Sequence, residues 1–243
     1  MTGAMDFYEK TKYPYLSEPA QRKGIPQPEL EQPVPEDAAI IKLPDPASIS
    51  IPAMDVRTAL ETRSTLRKYS QVELSLEELS FLLWMTQGVK MVTDRPVTMR
   101  IVPSAGARHA FETYLLLNRV GNLAPGLYRY SALKHIIYPA NMEAGIIETM
   151  TTACKDQGHV RTSAVTFFWA AIMDRMAWRY SERAYRYVLL DAGHVCQNLY
   201  IAAEAIHCGV CGLAAFDDDL LNSALGLDGQ NEIAVYAATV GKR

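Results

Sequence analysis

The stretch Thr62-Arg-Ser-Thr-Leu-Arg-Lys-Tyr69 gathers three cations and three aliphatic hydroxyls within eight residues. Arg63 and Arg67 bring forked guanidinium donors suited to a phosphate, and Ser64 and Thr65 add short donors beside them. The same residues also read as a solvated loop with a serine at a helix start. A second stretch, Val102-Pro-Ser-Ala-Gly-Ala-Arg-His109, is small and turn-rich. Pro103, Ser104, Ala105 and Gly106 would let backbone approach a flat ligand closely, or would simply form a turn. A third, Arg179-Tyr-Ser-Glu-Arg-Ala-Tyr-Arg-Tyr187, is basic and tyrosine-rich. Tyr180 could move a proton if it stands beside a reacting atom, and Arg179 could orient an anion. The plainer reading is an interface patch, where Tyr and Arg are common.

Several chemistries are excluded. The pair Cys208-Gly-Val-Cys211 has no second pair at zinc spacing and does not open a helix, so core packing is expected. His159, His194 and His207 have no partners at metal-binding spacing, and no metal is expected. There is no GxGxxG, Walker A loop, HExxH or GxSxG, which argues against a Rossmann dinucleotide clamp, a zincin and a serine hydrolase.

These segments need elements to position them. Met54, Val56 and Leu60 predict a short helix ending near Arg63. Ser75-Leu-Glu-Glu78 is a capping box that starts a helix over 75–88, stopped by Gly88. Strands are expected from Phe111 to Val120 and from Ala164 to Met173. The segments 126–130 and 135–138 form a hairpin signal, and 141–156 reads as helical. Tyr187 to Ala205 is the strongest helix. Leu190, His194, Gln197, Ile201 and Ala205 share one stripe, and Val188, Ala192, Val195, Leu199, Ala202 and Ile206 are apolar on other sides. Such a helix is central or lies at a subunit interface. Asp217-Asp218 caps a helix through Leu225, closed by Gly226, and Ile233 to Val240 is a last strand. Helices and strands mix without βαβα alternation, so the class is α+β.

Nine of the thirteen prolines fall in the first 52 residues, where they block helices and central strands. Tyr8, Tyr13 and Tyr15 give this segment something to bury, so residues 1–52 are expected to form an ordered arm before a core at 53–243. The formal charge is −3, from 24 Lys+Arg against 27 Asp+Glu. A nucleic-acid surface of the usual basic kind is excluded, while one phosphate-sized pocket remains allowed. No run reaches the ~18 apolar residues of a membrane span. The four cysteines and the lack of an apolar leader near the start lead us to expect free thiols and a cytoplasmic setting.

From about Arg57 to Gly241 the motifs, taken in order, resemble the nitroreductase-like flavoproteins, and in particular the SagB-type (azoline oxidase) dehydrogenases. The resemblance is carried by Arg63-Ser-Thr-Leu-Arg-Lys-Tyr69 with Leu74-Ser-Leu-Glu-Glu-Leu79, by Pro103-Ser-Ala-Gly-Ala107, by Arg179-Tyr180 with Asp191-Ala-Gly-His194 and Gln197-Asn198, and by Gly209 to Asp218. It implies an interlocked α+β homodimer with a mostly antiparallel sheet and FMN at the subunit interface. It implies that Arg63, Ser64, Thr65 and Arg67 hold the phosphate, with Lys242 or Arg243 reaching it from the last strand. Pro103, Ser104, Ala105 and Gly106 would lie against the ring, Leu213, Ala214 and Ala215 near its N5 edge, and Gln197 nearby. The implied activity is FMN-dependent ping-pong hydride transfer between NAD(P)H or a small organic substrate and an acceptor, with Tyr180 and Arg179 catalytic. Azoline oxidases carry Lys-Tyr where this chain has Arg179-Tyr180, and arginine keeps its proton, so it is a poor base. Alternatives are a non-catalytic flavoprotein, a partner subunit of a biosynthetic complex, and a peptide thiazoline or oxazoline dehydrogenase.

Overall fold

The computed structural model describes residues 3–243. Helices are α1 (Gly3–Lys10), α2 (Val56–Thr62), α3 (Leu76–Gln87), α4 (Ile146–Ala153), α5 (His159–Thr162), α6 (Met173–Tyr180), α7 (Ala184–Ala205) and α8 (Asp218–Leu225). Strands are β1 (Ile41–Lys42), β2 (Val89–Val92), β3 (Thr98–Arg100), β4 (Phe111–Leu117), β5 (Gly126–Ser131), β6 (Ile136–Asn141), β7 (Val165–Ile172), β8 (Cys208–Leu213) and β9 (Glu232–Lys242). Seven strands form one sheet in the order β1-β6-β5-β4-β7-β9-β8, and β2 and β3 make a separate hairpin. Every pairing between these strands is antiparallel.

Strands β4 and β7 are buried along their whole length because the sheet is covered on both faces. Side chains alternate across a strand. Leu115, Leu117, Phe167 and Trp169 therefore share one core with α3 and α7 residues such as Leu82, Val195 and Leu199. Tyr114, Leu116, Phe168 and Ala170 pack on the other face with Met150 of α4 and Leu221 of α8. The α3 capping box is complete: the Ser75 hydroxyl accepts from Glu78 N–H, and the Glu78 carboxylate accepts from Ser75 N–H. Asp217 caps α8, and Gly226 closes it in the left-handed region at φ 73°.

Helix α7 is buried along Val188, Ala192, Val195 and Leu199, while Leu189, Leu190, His194 and Gln197 face outward. One side of the helix is thus open in the single chain, as the subunit-interface alternative requires and a fully central helix would not allow.

The proline-rich segment is ordered and lies on the core. It contributes the edge strand β1, where Ile41 pairs with Ile137 of β6. Glu31 accepts hydrogen bonds from Ser131 Oγ and Ala132 N, Arg175 Nε donates to Glu29 O, and Ser80 Oγ donates to Pro44 O. Tyr13 and Tyr15 remain largely exposed, so burial of these rings is not what orders the arm. Helix α1 was not anticipated; it precedes the first proline, Pro14, and so escapes the ring constraint.

Candidate functional site

The basic loop 63–69 is seated on the β8–β9 edge by shape. Leu66 packs where a side chain on Gly209 would stand, at 2.4 Å from its Cδ2, and Tyr69 packs over Gly241. Leu66 N donates to Val210 O at 3.0 Å, and Thr65 bridges Val210. The Tyr69 hydroxyl donates to Leu66 O at 2.7 Å and contacts Thr239 Oγ1 at 2.7 Å; burial holds its proton well above the usual phenol range. Arg63 stacks at 5.2 Å over the Tyr200 ring, and Ser64, Thr65 and Arg67 are exposed. Arg63 and Arg67 form no ion pair among the described residues. Arg243 Nη1 donates to Ser64 Oγ at 3.3 Å, which puts the last residue beside this loop. Lys242 points elsewhere, pairing with Glu78 and donating to Ile206 O at 2.9 Å.

The loop 103–109 is held in an uncommon shape. Gly106, Ala107 and His109 all have positive φ, at 57°, 53° and 43°. Ser104 Oγ accepts from His109 N at 2.9 Å, and the Asp191 carboxylate of α7 accepts from Ala105 N at 3.2 Å. Asp191 is buried, and burial raises its pKa against the pull of those donors. It is a positioning residue that sequence reading left out of the site. The signal was there, as a lone acid beside the apolar face that carries Val188, Ala192 and Val195.

Gly106 is where two of the motifs meet. A Cβ on it would stand 2.5 Å from Tyr180 Oη and 3.1 Å from Arg179 Nε. No other residue type leaves room for that approach. Tyr180 ends α6, and the chain turns at Ser181, with φ 48°, into α7.

The expected site residues therefore fall into two groups within one chain. Arg63, Ser64, Thr65 and Arg67 stand with β8 and Arg243, while Ser104, Ala105 and Gly106 stand with Arg179, Tyr180 and Asp191. Tyr200, beside the first group, and Asp191, in the second, are nine residues apart on α7, roughly 13 Å of helix axis. Between them lie the outward-facing His194 and Gln197. Leu213 is buried in the core, whereas Ala214 and Ala215 are exposed just after β8, with Ala215 O accepting from Gln157 Nε2 at 2.7 Å. The four cysteines are buried free thiols, and Cys208 and Cys211 lie on a strand. Among the described residues no group of His, Cys, Asp and Glu could hold a metal, and no helix is long and apolar enough to cross a membrane.

Residues 60–242 match the profile of the nitroreductase family. A protein of Methanocaldococcus jannaschii named as a nitroreductase is 30% identical over 208 residues, covering 85% of this chain and 98% of that protein. The trifolitoxin-processing protein TfxB of Rhizobium leguminosarum bv. trifolii is 26% identical over 176 residues, 69% of this chain and 47% of that one. Among solved structures, a protein of Anabaena variabilis described as a nitroreductase superposes with a TM-score of 0.67 at 24% identity, over 85% of this chain and 42% of that chain. A chain of the E. coli microcin synthetase McbBCD complex superposes at 0.62 and 18% identity, over 99% of this chain and 91% of that chain. A Desulfovibrio desulfuricans protein described as a nitroreductase in complex with FMN superposes at 0.55 and 16% identity, over 78% of this chain and 87% of that one.

Proposed function

The chain belongs to the nitroreductase family, and from that premise we propose that it is an FMN-dependent oxidoreductase working as a cytoplasmic homodimer with the cofactor at the subunit interface. The observation that carries this reading is the split of the family-like motifs into two groups flanking an exposed stripe of α7. A second copy laid on that stripe would bring one group of each chain to the other group of its partner. The residues fit FMN: Arg63 and Arg67 are guanidiniums without ion pairs among the described residues, and Arg243 and the Ser64 and Thr65 hydroxyls stand beside them. Bound FMN would supply hydride acceptance and donation at N5, in a ping-pong cycle serving NAD(P)H or a small organic substrate and then an acceptor.

The chain's own residues have separable tasks. Arg63 and Arg67 hold the phosphate, with Arg243 beside them but paired with Glu204 at 2.5 Å, and Lys242 is paired with Glu78. Pro103 to Gly106 offer a flat, small surface to the ring, fixed by Asp191. Exposed backbone at Ala214 and Ala215, with Leu213 buried beneath, borders the ring edge, and Gln197 lies on the outward stripe. Tyr180 places a hydroxyl over Gly106 that can give or take a proton, and Arg179 orients the substrate as a fixed cation.

Purified protein should be yellow, dimeric by light scattering, and bleached by NADH or NADPH. Replacing Arg63 and Arg67 together by Ala should weaken FMN retention by about tenfold or more, the scale of losing a charge-assisted contact. Unchanged retention would remove the phosphate assignment, and a colourless protein that takes up no FMN would sink the reading as a whole.

A second reading, a peptide thiazoline or oxazoline dehydrogenase or a partner subunit of a biosynthetic complex, is favoured by the likeness to TfxB. It predicts flavin that bleaches with an azoline peptide but not with NAD(P)H. A flavin reduced by neither would favour a non-catalytic role.

A further inference from the structure

The arm closes a cavity of about 570 Å³ against the turn between α6 and α7. Its walls include Tyr13 and Arg22 from the arm, and Arg179, Tyr180 and Arg183 from the core. We propose that this cavity is the substrate pocket and that it selects a molecule carrying a carboxylate on a planar or apolar body. The proposal rests on the flavoenzyme reading for its catalytic meaning, and on the cavity itself for its specificity.

Three observations carry it. First, position: the same Arg179 and Tyr180 that line the cavity lie over Gly106, so the cavity adjoins the loop assigned to the ring. Second, charge: Arg22, Arg179 and Arg183 form no ion pair among the described residues. Arg183 is held in place, with Nε donating to Tyr187 Oη at 3.0 Å, Nη1 donating to Thr11 O at 2.7 Å, and its guanidinium 4.5 Å over the Tyr13 ring. A fixed fork loses little freedom when it binds a carboxylate. One carboxylate, Glu18, shares the lining, and the neighbouring Glu182 accepts from Ser17 N at 2.9 Å. Three cations against one anion leave the lining positive, which favours an anion over a neutral molecule of the same shape. Third, shape: Tyr13 and Tyr180 are aromatic walls, and Tyr180 is braced edge-on against Tyr187 at 4.6 Å. The arm is tied down on both sides, by Ser181 Oγ donating to Ser17 O and by Gln21 N donating to Trp178 O.

The test is calorimetric titration of the purified full-length protein with 4-nitrobenzoate and with 4-nitrobenzamide, which share a body and differ in charge. The benzoate should bind about tenfold more tightly, the value of one charge-assisted contact. Arg22→Gln, on an exposed side chain that supports no fold contact, should reduce that preference, Arg183→Lys should reduce it further, and Glu18→Gln should increase it. Equal binding of the two compounds, binding of neither at millimolar concentration, or a preference untouched by all three variants overturns the pocket. Colour separates the two readings: a colourless protein that still prefers the benzoate removes the flavin and keeps the pocket, and a yellow protein without preference does the reverse.

Discussion

Two sets of arginines divide this molecule. Arg175 and Arg129 meet on the buried Glu112 carboxylate, at 2.6 and 2.8 Å, and Gln32 N completes its shell at 2.9 Å. Arg100 donates to Gln87, and Arg108 donates to Arg175 O while stacking on Trp178. Arg67 and Arg179 are exposed and Arg63 is half-buried, and none of the three has an acidic partner among the described residues. A guanidinium taken from water must be answered by acceptors, so the first set is committed to the fold. The second set has aromatic neighbours at Arg63 and Arg179 but no acidic partner among the described residues, which leaves its charge open to an incoming anion. Counting basic residues could not separate the sets; burial and partners do.

The contrast can be broken most forcefully at Glu112. Glu112→Gln leaves Arg175 and Arg129 without their charge partner and should destabilise by about 3–5 kcal/mol, read from the urea midpoint. A loss under 1 kcal/mol would mean that these arginines are as free as the exposed ones. Next comes pH. Burial, and then the Arg100 and Arg108 cations, hold His109 down at about 3, against an ordinary value of 6.5. The unfolded chain therefore takes up a proton in a window where the folded chain refuses it. The stability tied to His109 is fully present above pH 6.5 and is lost as pH falls from 6.5 toward 3. His109→Asn, which also suits the positive φ, should flatten that slope; an unchanged slope would place the acid sensitivity elsewhere. Gly106→Ala is milder in the fold, about 1–2 kcal/mol for an alanine in the left-handed region. Its Cβ displaces Tyr180, so activity should fall by more than stability. The smallest effect sharpens the comparison from the other side: Arg63→Ala with Arg67→Ala should move the urea midpoint by less than about 0.5 kcal/mol while cofactor retention drops.

Elements with their own end signals were legible in the sequence. The Ser75 and Glu78 box, the Asp217 cap and Gly226 marked α3 and α8 to within a residue or two. The apolar runs of β4 and β7 announced strands. The helix expected over 141–156 proved shorter, because β6 continues to Asn141 and α4 begins only at Ile146. Strand β8 was hidden because Cys208-Gly-Val-Cys211-Gly has low strand propensity; it is a strand because it pairs with β9 from Cys208 to Leu213, and its glycines leave room for Leu66 and Tyr236. The β2–β3 hairpin and α6 were hidden too, and α6 carries Arg179 and Tyr180. Of the candidate site, the residue types were legible and their grouping was not. Asp191 and Ala105 are far apart in sequence, as are Gly106 and Tyr180, and only packing brings them together.

The bridge between Thr65 and Val210 has a consequence for solubility. Strand β8 is the last of the sheet, and its outer backbone groups would otherwise be an open template for another chain. The loop 63–69 lies across that edge and uses up part of it. Drift in this loop is thus limited by two pressures at once. A change that lifts it from β8 would leave a sticky margin on the protein before it ever cost an anion.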